Sequence, residues 1–240
     1  MTVVESAQRF GAATRKRRVL RWAVAALVVL LAAGVVWAVW FSTWFSVSEV
    51  RVLGARTVSI DEVRQAAAVP AHQPLARVDV DGITARVSAI PEVASVEVRR
   101  GWPDVLVIVV TERTPVAVMR SGSGFTYLDA TGVRFGDPAG AQGLPVVTAR
   151  SDPARATAAA VVSALPPTLA EQVATVVARS RDDVVLHLAG GATVQWGSAE
   201  DSARKAEVLA ALLHVKARSY DVSAPDLPTT RGTSASASAG

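Results

Sequence analysis

From Trp22 to Phe45 the chain carries no charged side chain, and this run constrains its fold more than any other feature. As a helix rising ~1.5 Å per residue, roughly 24 residues reach about 36 Å, enough to cross a hydrocarbon core of ~30 Å with some tilt. A cleaved signal sequence is the competing reading, because basic residues precede the run and Ala32, Ala33 and Gly34 are small. Signal cores are about 7–15 residues long. Here apolar residues continue through Val35, Val36, Trp37, Val39, Trp40, Trp44 and Phe45. The run is therefore expected to remain as an uncleaved single membrane span over residues 22–45, with Trp22, Trp37, Trp40 and Trp44 as interfacial anchors.

The flanks give a direction. Arg9, Arg15, Lys16, Arg17, Arg18 and Arg21 precede the span against a single acid, Glu5. Positive charge beside a span stays cytoplasmic, so a basic tail (residues 1–21) is expected inside and the rest outside the plasma membrane. Residues 22–240 hold 19 basic and 20 acidic groups, so the high pI reflects topology and is not the footprint of a nucleic-acid binder. The chain has no cysteine, which excludes disulfides, thiol catalysis and thiolate metal sites.

Beyond the span, alternation over residues 46–53 ending at Gly54 predicts a strand and a turn. Ser59 and Glu62 form a capping-box pattern for a short helix, and Ile83, Val87 and Ile90 mark one face of a second helix over residues 81–89. Ser95–Arg100, the turn Gly101-Trp102-Pro103-Asp104 and the run Val105–Val110 predict a hairpin whose second strand is central and buried on both faces. After Pro115 short strands with Gly-rich turns are expected at 116–119, 125–128 and 133–135, and two or three more at 172–179, 183–189 and 192–196. A helix is expected around 153–165, and another capped by Ser198 with Leu209, Leu212 and Leu213 facing a core. Tyr220-Asp221-Val222-Ser223 reads as a last, edge strand. From Pro228 the Ser/Ala/Gly-rich composition predicts disorder.

Catalytic templates do not fit. His72, His187 and His214 lack ligand spacing, and Asp182-Asp183 reads as a solvated pair at a strand start. Ser202-Ala203-Arg204-Lys205 satisfies the S-x-x-K nucleophile pattern of penicillin-binding proteins, but the S-D-N and K-T-G elements are missing and only Lys16, Lys205 and Lys216 exist. There is no G-x-S-x-G, Walker loop or H-E-x-x-H. No catalytic, cofactor, metal or small-molecule site is expected, and the outer part is read as a binder of other proteins.

The stretch Ile90-Pro91-Glu92-Val93-Ala94-Ser95-Val96-Glu97-Val98-Arg99-Arg100-Gly101-Trp102-Pro103-Asp104 resembles a block of the FtsQ/DivIB cell-division proteins. The similarity continues through Glu112-Arg113, Pro115-Val116-Ala117, Leu128-Asp129, Gly132-Val133 and Leu144-Pro145-Val146. Upstream, Phe45, Val47, Val50, Val52, Gly54, Leu75, Val78 and Asp79 fit the start of a POTRA domain; downstream, Gly191–Gly197 and Tyr220-Asp221-Val222 fit the end of a β-domain. Ala/Val/Arg-rich usage points to a high-GC Gram-positive source.

The resemblance implies an α+β chain: the transmembrane helix, a small POTRA domain (β-α-α-β-β, 46–113), a mixed β-domain with flanking helices (114–227), and a disordered tail (228–240). It implies a non-enzymatic scaffold at the division septum. Its partners would be FtsB/DivIC-like and FtsL-like proteins and, indirectly, FtsW and the septal transpeptidase. In the family the last β-domain strand takes a partner by β-augmentation. That position falls here on Tyr220, Asp221, Val222 and Ser223, with Arg204 or Lys205 as a pairing charge; Tyr220 and Val222 read equally as core. Val98, Arg99 and Arg100 resemble a recruitment surface, with a solvated face as the alternative, and Trp102-Pro103 reads as a structural turn covering the sheet end. A membrane-anchored cell-wall enzyme would need a catalytic constellation, and a POTRA protein of polypeptide transport would need repeated units and a barrel.

Overall fold

The computed structural model describes residues 7–41 and 45–232, in two compact units. The first comprises residues 1–90 and 95–111, the second residues 91–94 and 112–240.

One helix, α1 (Ala7–Phe41), leads the chain. Its segment Leu20–Ala38 has mean hydropathy 2.1 and is not buried against protein, so it is long and apolar enough to cross a membrane once. The helix starts inside the basic segment read as a tail. Ala, Arg, Lys and Gln are good helix formers, and no proline interrupts them.

The first unit continues with β1 (Glu49–Leu53), α2 (Ile60–Ala67), a 3-10 turn (Leu75–Arg77), α3 (Val80–Ser88), β2 (Val93–Gly101) and β3 (Val105–Glu112). The Ser59 hydroxyl caps α2 by accepting the Asp61 amide at 3.3 Å. Asp79 caps α3 through the Gly82 amide at 3.0 Å, which starts that helix one residue before the expected position. The sheet order is β1-β3-β2, with β1 parallel to β3 and Glu49 opposite Val105. Thus β3 is central, as its β-branched run predicts. Only Leu106, Ile108 and Val110 are fully buried, however; Val105, Val107 and Val109 stay half-buried, which corrects the expectation of burial on both faces. Val63 and Ala67 of α2, Ile83 and Val87 of α3, and Leu75 and Val78 between the helices are buried as well.

The second unit carries β4 (Ala117–Ser121), β5 (Gly124–Leu128), β6 (Arg134–Phe135), β7 (Val146–Ala149), α4 (Asp152–Ala164), α5 (Pro167–Ala170), β8 (Val173–Ala178), β9 (Val184–Leu188), β10 (Thr193–Gly197), α6 (Ser202–Leu212), β11 (Ser219–Asp221) and β12 (Thr229–Arg231). They form one nine-stranded sheet, β12-β11-β10-β9-β8-β7-β4-β5-β6. Parallel neighbours need a crossover. The link from β7 to β8 runs through α4 and α5, and that from β10 to β11 through α6. Ala154 and Ala158 give α4 a small-residue face, and with Leu186, Val194, Trp196 and Leu209 they lie in one core cluster. Two strands differ from expectation. β7, four residues after Pro145, sits mid-sheet between β4 and β8, and β12 falls in the segment read as disordered. The last helix begins at Ser202, not Ser198, because Asp201 adopts φ 52° and turns the chain just before it.

Candidate partner-binding edge

The C-terminal end of the nine-stranded sheet is built by β10, β11 and β12. β11 lies parallel to β10, with Thr193 opposite Ser219 and Gln195 opposite Asp221. The Tyr220 and Val222 side chains are buried. The Tyr220 hydroxyl donates to the Val215 carbonyl at 2.8 Å and accepts the Ala217 amide at 3.1 Å, closing the turn after α6. The Val222 amide donates inward to the Gln195 carbonyl at 3.0 Å, so it is not a free edge donor. Asp221 accepts the Ser223 amide at 3.0 Å and hydroxyl at 2.6 Å, locking the turn that leaves the strand.

The expected edge strand is therefore not the edge. β12 covers it antiparallel, with Ser219 opposite Arg231, Tyr220 opposite Thr230 and Asp221 opposite Thr229. Strand pairing is made by backbone groups, and two β-branched threonines suffice to extend the chain there. Residues 229–231 belong to the sheet, and residues 233–240 lie outside the described residues. β12 brings no buried side chain: Thr229 and Arg231 are exposed and Thr230 is half-buried. The loop before it is no better anchored, since Leu227 is 80% exposed. The Asp226–Arg204 ion pair joins two side chains that are 71% and 61% exposed, a geometry that contributes little.

The two candidate charges on α6 part company. Arg204 stands at the surface beside this loop, whereas Lys205 is buried and its Nζ donates to the Ser198 carbonyl at 3.0 Å. Burial pushes the Lys205 ammonium below its ordinary range, against the opposing pull of Asp201 and Glu200. Lys205 is thus withdrawn from any partner. Ser202 is also engaged: its hydroxyl donates to the Ala199 carbonyl at 2.8 Å and accepts Trp196 Nε1 at 3.2 Å. Both polar members of the S-x-x-K pattern are spent on internal packing.

In the first unit, adjacent arginines on β2 also differ. Arg99 pairs with Glu97 at the surface (2.5 and 2.6 Å), next to half-buried Val98. Arg100 turns back and donates to the Leu75 carbonyl at 3.0 Å and the Val78 carbonyl at 2.8 Å, tying the strand to the 3-10 turn. Sequence reasoning missed that tie; the donors of a guanidinium leave no periodic signal. Trp22, Trp37 and Trp40 are exposed on α1, and Trp44 lies outside the described residues.

Comparison with known proteins gives this geometry a lineage. Residues 45–113 match the POTRA domain of FtsQ type, and residues 117–227 match the C-terminal domain of the cell division protein FtsQ/DivIB. The chain belongs to the FtsQ/DivIB family. It is 38% identical over 229 residues to the cell division protein FtsQ of Streptomyces bingchenggensis, covering 89% of this chain and 86% of that one. With FtsQ of Streptomyces venezuelae the identity is 41% over 220 residues, 85% of this chain and 81% of the other. The extracytoplasmic domain of DivIB from Geobacillus stearothermophilus superposes at TM-score 0.35 with 18% identity, over 40% of this chain and 87% of that domain, too loosely to bear on the fold. The FtsQ/DivIB C-terminal match ends at residue 227, two residues before β12 begins.

Proposed function

We propose that this chain is a non-enzymatic scaffold of the division machinery, anchored by α1 with its basic N-terminus in the cytoplasm and both domains outside, at the septum. An FtsB/DivIC-like partner adds a strand at the C-terminal edge of the nine-stranded sheet by taking the place of β12 beside β11. Together with an FtsL-like protein it links the scaffold to septal peptidoglycan synthesis by FtsW and its transpeptidase. One observation carries this reading: the outer edge of β11 is covered only by a three-residue strand with no buried side chain. Such an edge is a ready template for a longer strand from another chain.

In this arrangement the partner pairs with the backbone of Ser219, Tyr220 and Asp221 and follows the turn at Ser223. Tyr220 and Val222 act from inside, holding β11 flat against β10. Arg204, once parted from Asp226, supplies a surface cation for an acidic group of the partner. The outer edge of β2, with Val98 and Arg99, is a second recruitment surface, since β2 ends the three-stranded sheet. Orientation rests on the six basic residues before the span.

Capture by the FtsB/DivIC-like ectodomain tests the reading, with the intact chain beside one ending at Asp226. Removing β12 leaves the β11 slot open, so the shortened chain should bind at least as tightly. Loss of capture on truncation would place the partner on β12 itself.

A further inference from the structure

The strand register of the first unit sets which of its ends the chain enters after the span. β1 starts at Glu49, eight residues after the last residue of α1, and β3 runs parallel to it with Val105 opposite Glu49. The turn between β2 and β3 therefore lies beside the beginning of β1, at the end where the chain leaves the bilayer. Hydrogen bonds hold it there. The Ser48 amide donates to the Asp104 carbonyl at 2.9 Å and the Ser48 hydroxyl to the Asp104 carboxylate at 2.6 Å. The 3-10 turn is drawn to the same end, because the Val47 amide donates to the Gln73 carbonyl at 2.9 Å and Arg100 grips Leu75 and Val78.

At the tip stands Trp102. Its ring was expected to cover the end of the sheet, but it is 53% exposed. It meets Phe45 edge-on, with ring centroids 5.9 Å apart at 69°. Four residues at most ~3.6 Å each place Phe45 within about 14 Å of the end of α1. The headgroup layer is about 5–7 Å thick on each side of the hydrocarbon core. An exposed indole on a turn, packed edge-on against an aromatic residue that follows α1 so closely, has the chemistry of the interfacial belt: apolar body, one N–H donor.

We infer that the tip of the β2–β3 hairpin, Trp102 packed edge-on against Phe45, rests in the headgroup layer of the bilayer that α1 spans. The first unit then touches the membrane twice, through its covalent link and through this hairpin. Two contacts limit its swing relative to the span and set the direction in which β2 presents its outer edge. The inference rests on the span and on the local geometry of the first unit, and it stands whether or not the β11 edge receives a partner.

The test uses the full chain in nanodiscs. Trp102→Phe keeps a ring against Phe45, so the emission lost relative to the unsubstituted chain belongs to Trp102, provided the two thermal melts coincide. That component should lose intensity when the lipid is replaced by one brominated near the headgroups. Equal intensity in plain and brominated lipid overturns the proposal. Hydroxyl-radical footprinting of the unsubstituted chain in the same nanodiscs needs no variant. Corrected for intrinsic reactivity, Trp102 should be oxidised as slowly as Trp40; oxidation as fast as that of Leu227, which is 80% exposed, overturns the proposal.

Discussion

The nine-stranded sheet ends in two very different strands. β6 has two residues and β12 three, yet the shorter one is by far the better held. Phe135 of β6 is 7% exposed and packs its ring 5.5 Å from that of Tyr127. The Thr126 hydroxyl reaches the Phe135 and Gly136 carbonyls at 3.3 and 3.1 Å. In the turn before β6, Asp129 Oδ1 accepts the Thr131 amide at 2.9 Å, the Thr131 hydroxyl at 2.7 Å and the Val133 amide at 2.9 Å. Its other oxygen pairs with Arg113, which also donates to the Pro91 carbonyl at 3.0 Å. Gly132, at φ 82°, completes the turn; a Cβ there would meet Ala156 Cα at 2.7 Å, so α4 closes directly on it. Among the described residues nothing comparable holds β12. Permanence at a sheet edge is set by side-chain anchors more than by the length of the ladder, and the unanchored edge is the one open to exchange.

That contrast can be broken at its strong end first. Asp129→Ala leaves the Arg113 guanidinium without its carboxylate and should cost about 3–5 kcal/mol, read from urea unfolding. Burial alone would raise the Asp129 carboxyl, but the hydrogen bonds from Thr131, Val133 and Arg113 outweigh it and hold the group below its ordinary value. An unfolded aspartate titrates near 3.9. The stabilisation is therefore full above about pH 4 and is lost as the pH falls through the lower folded-state value. Acid unfolding of Asp129→Asn should show a weaker dependence on pH below 4. Phe135→Ala should cost about 3 kcal/mol by emptying the packed end of β6.

At the weak end the effects should be small. A chain ending at Asp226 should lose no more than about 1 kcal/mol, since no buried side chain and only a few ladder bonds leave with β12. Arg204→Ala should cost less than about 1 kcal/mol, as exposed ion pairs do, while slowing association with an acidic partner at low salt. A large loss of stability in either variant would mean that β12 is anchored after all.

The same physics decides what could be read from the sequence. The Val105–Val110 run announced a central strand, because side-chain composition encodes burial, and the caps at Ser59 and the turn at Gly101–Asp104 are local chemistry. β7 escaped notice, since four residues after a proline carry too little periodicity to register. β12 escaped for a deeper reason: Thr229-Thr230-Arg231 pairs through its backbone, which no side-chain pattern reports. Arg99 and Arg100 are adjacent and alike in sequence, and only the positions of the Leu75 and Val78 carbonyls separate surface charge from internal tie. At the candidate edge, then, β11 was legible in the sequence and the strand that covers it was not.

The most direct measurement locks the occupant in place. Ser219 and Arg231 are register partners, and the chain has no native cysteine, so Ser219→Cys with Arg231→Cys offers a single cross-strand disulfide. Capture of the FtsB/DivIC-like ectodomain should fail in the oxidised chain and return on reduction. Equal capture in both states would contradict strand exchange at β11.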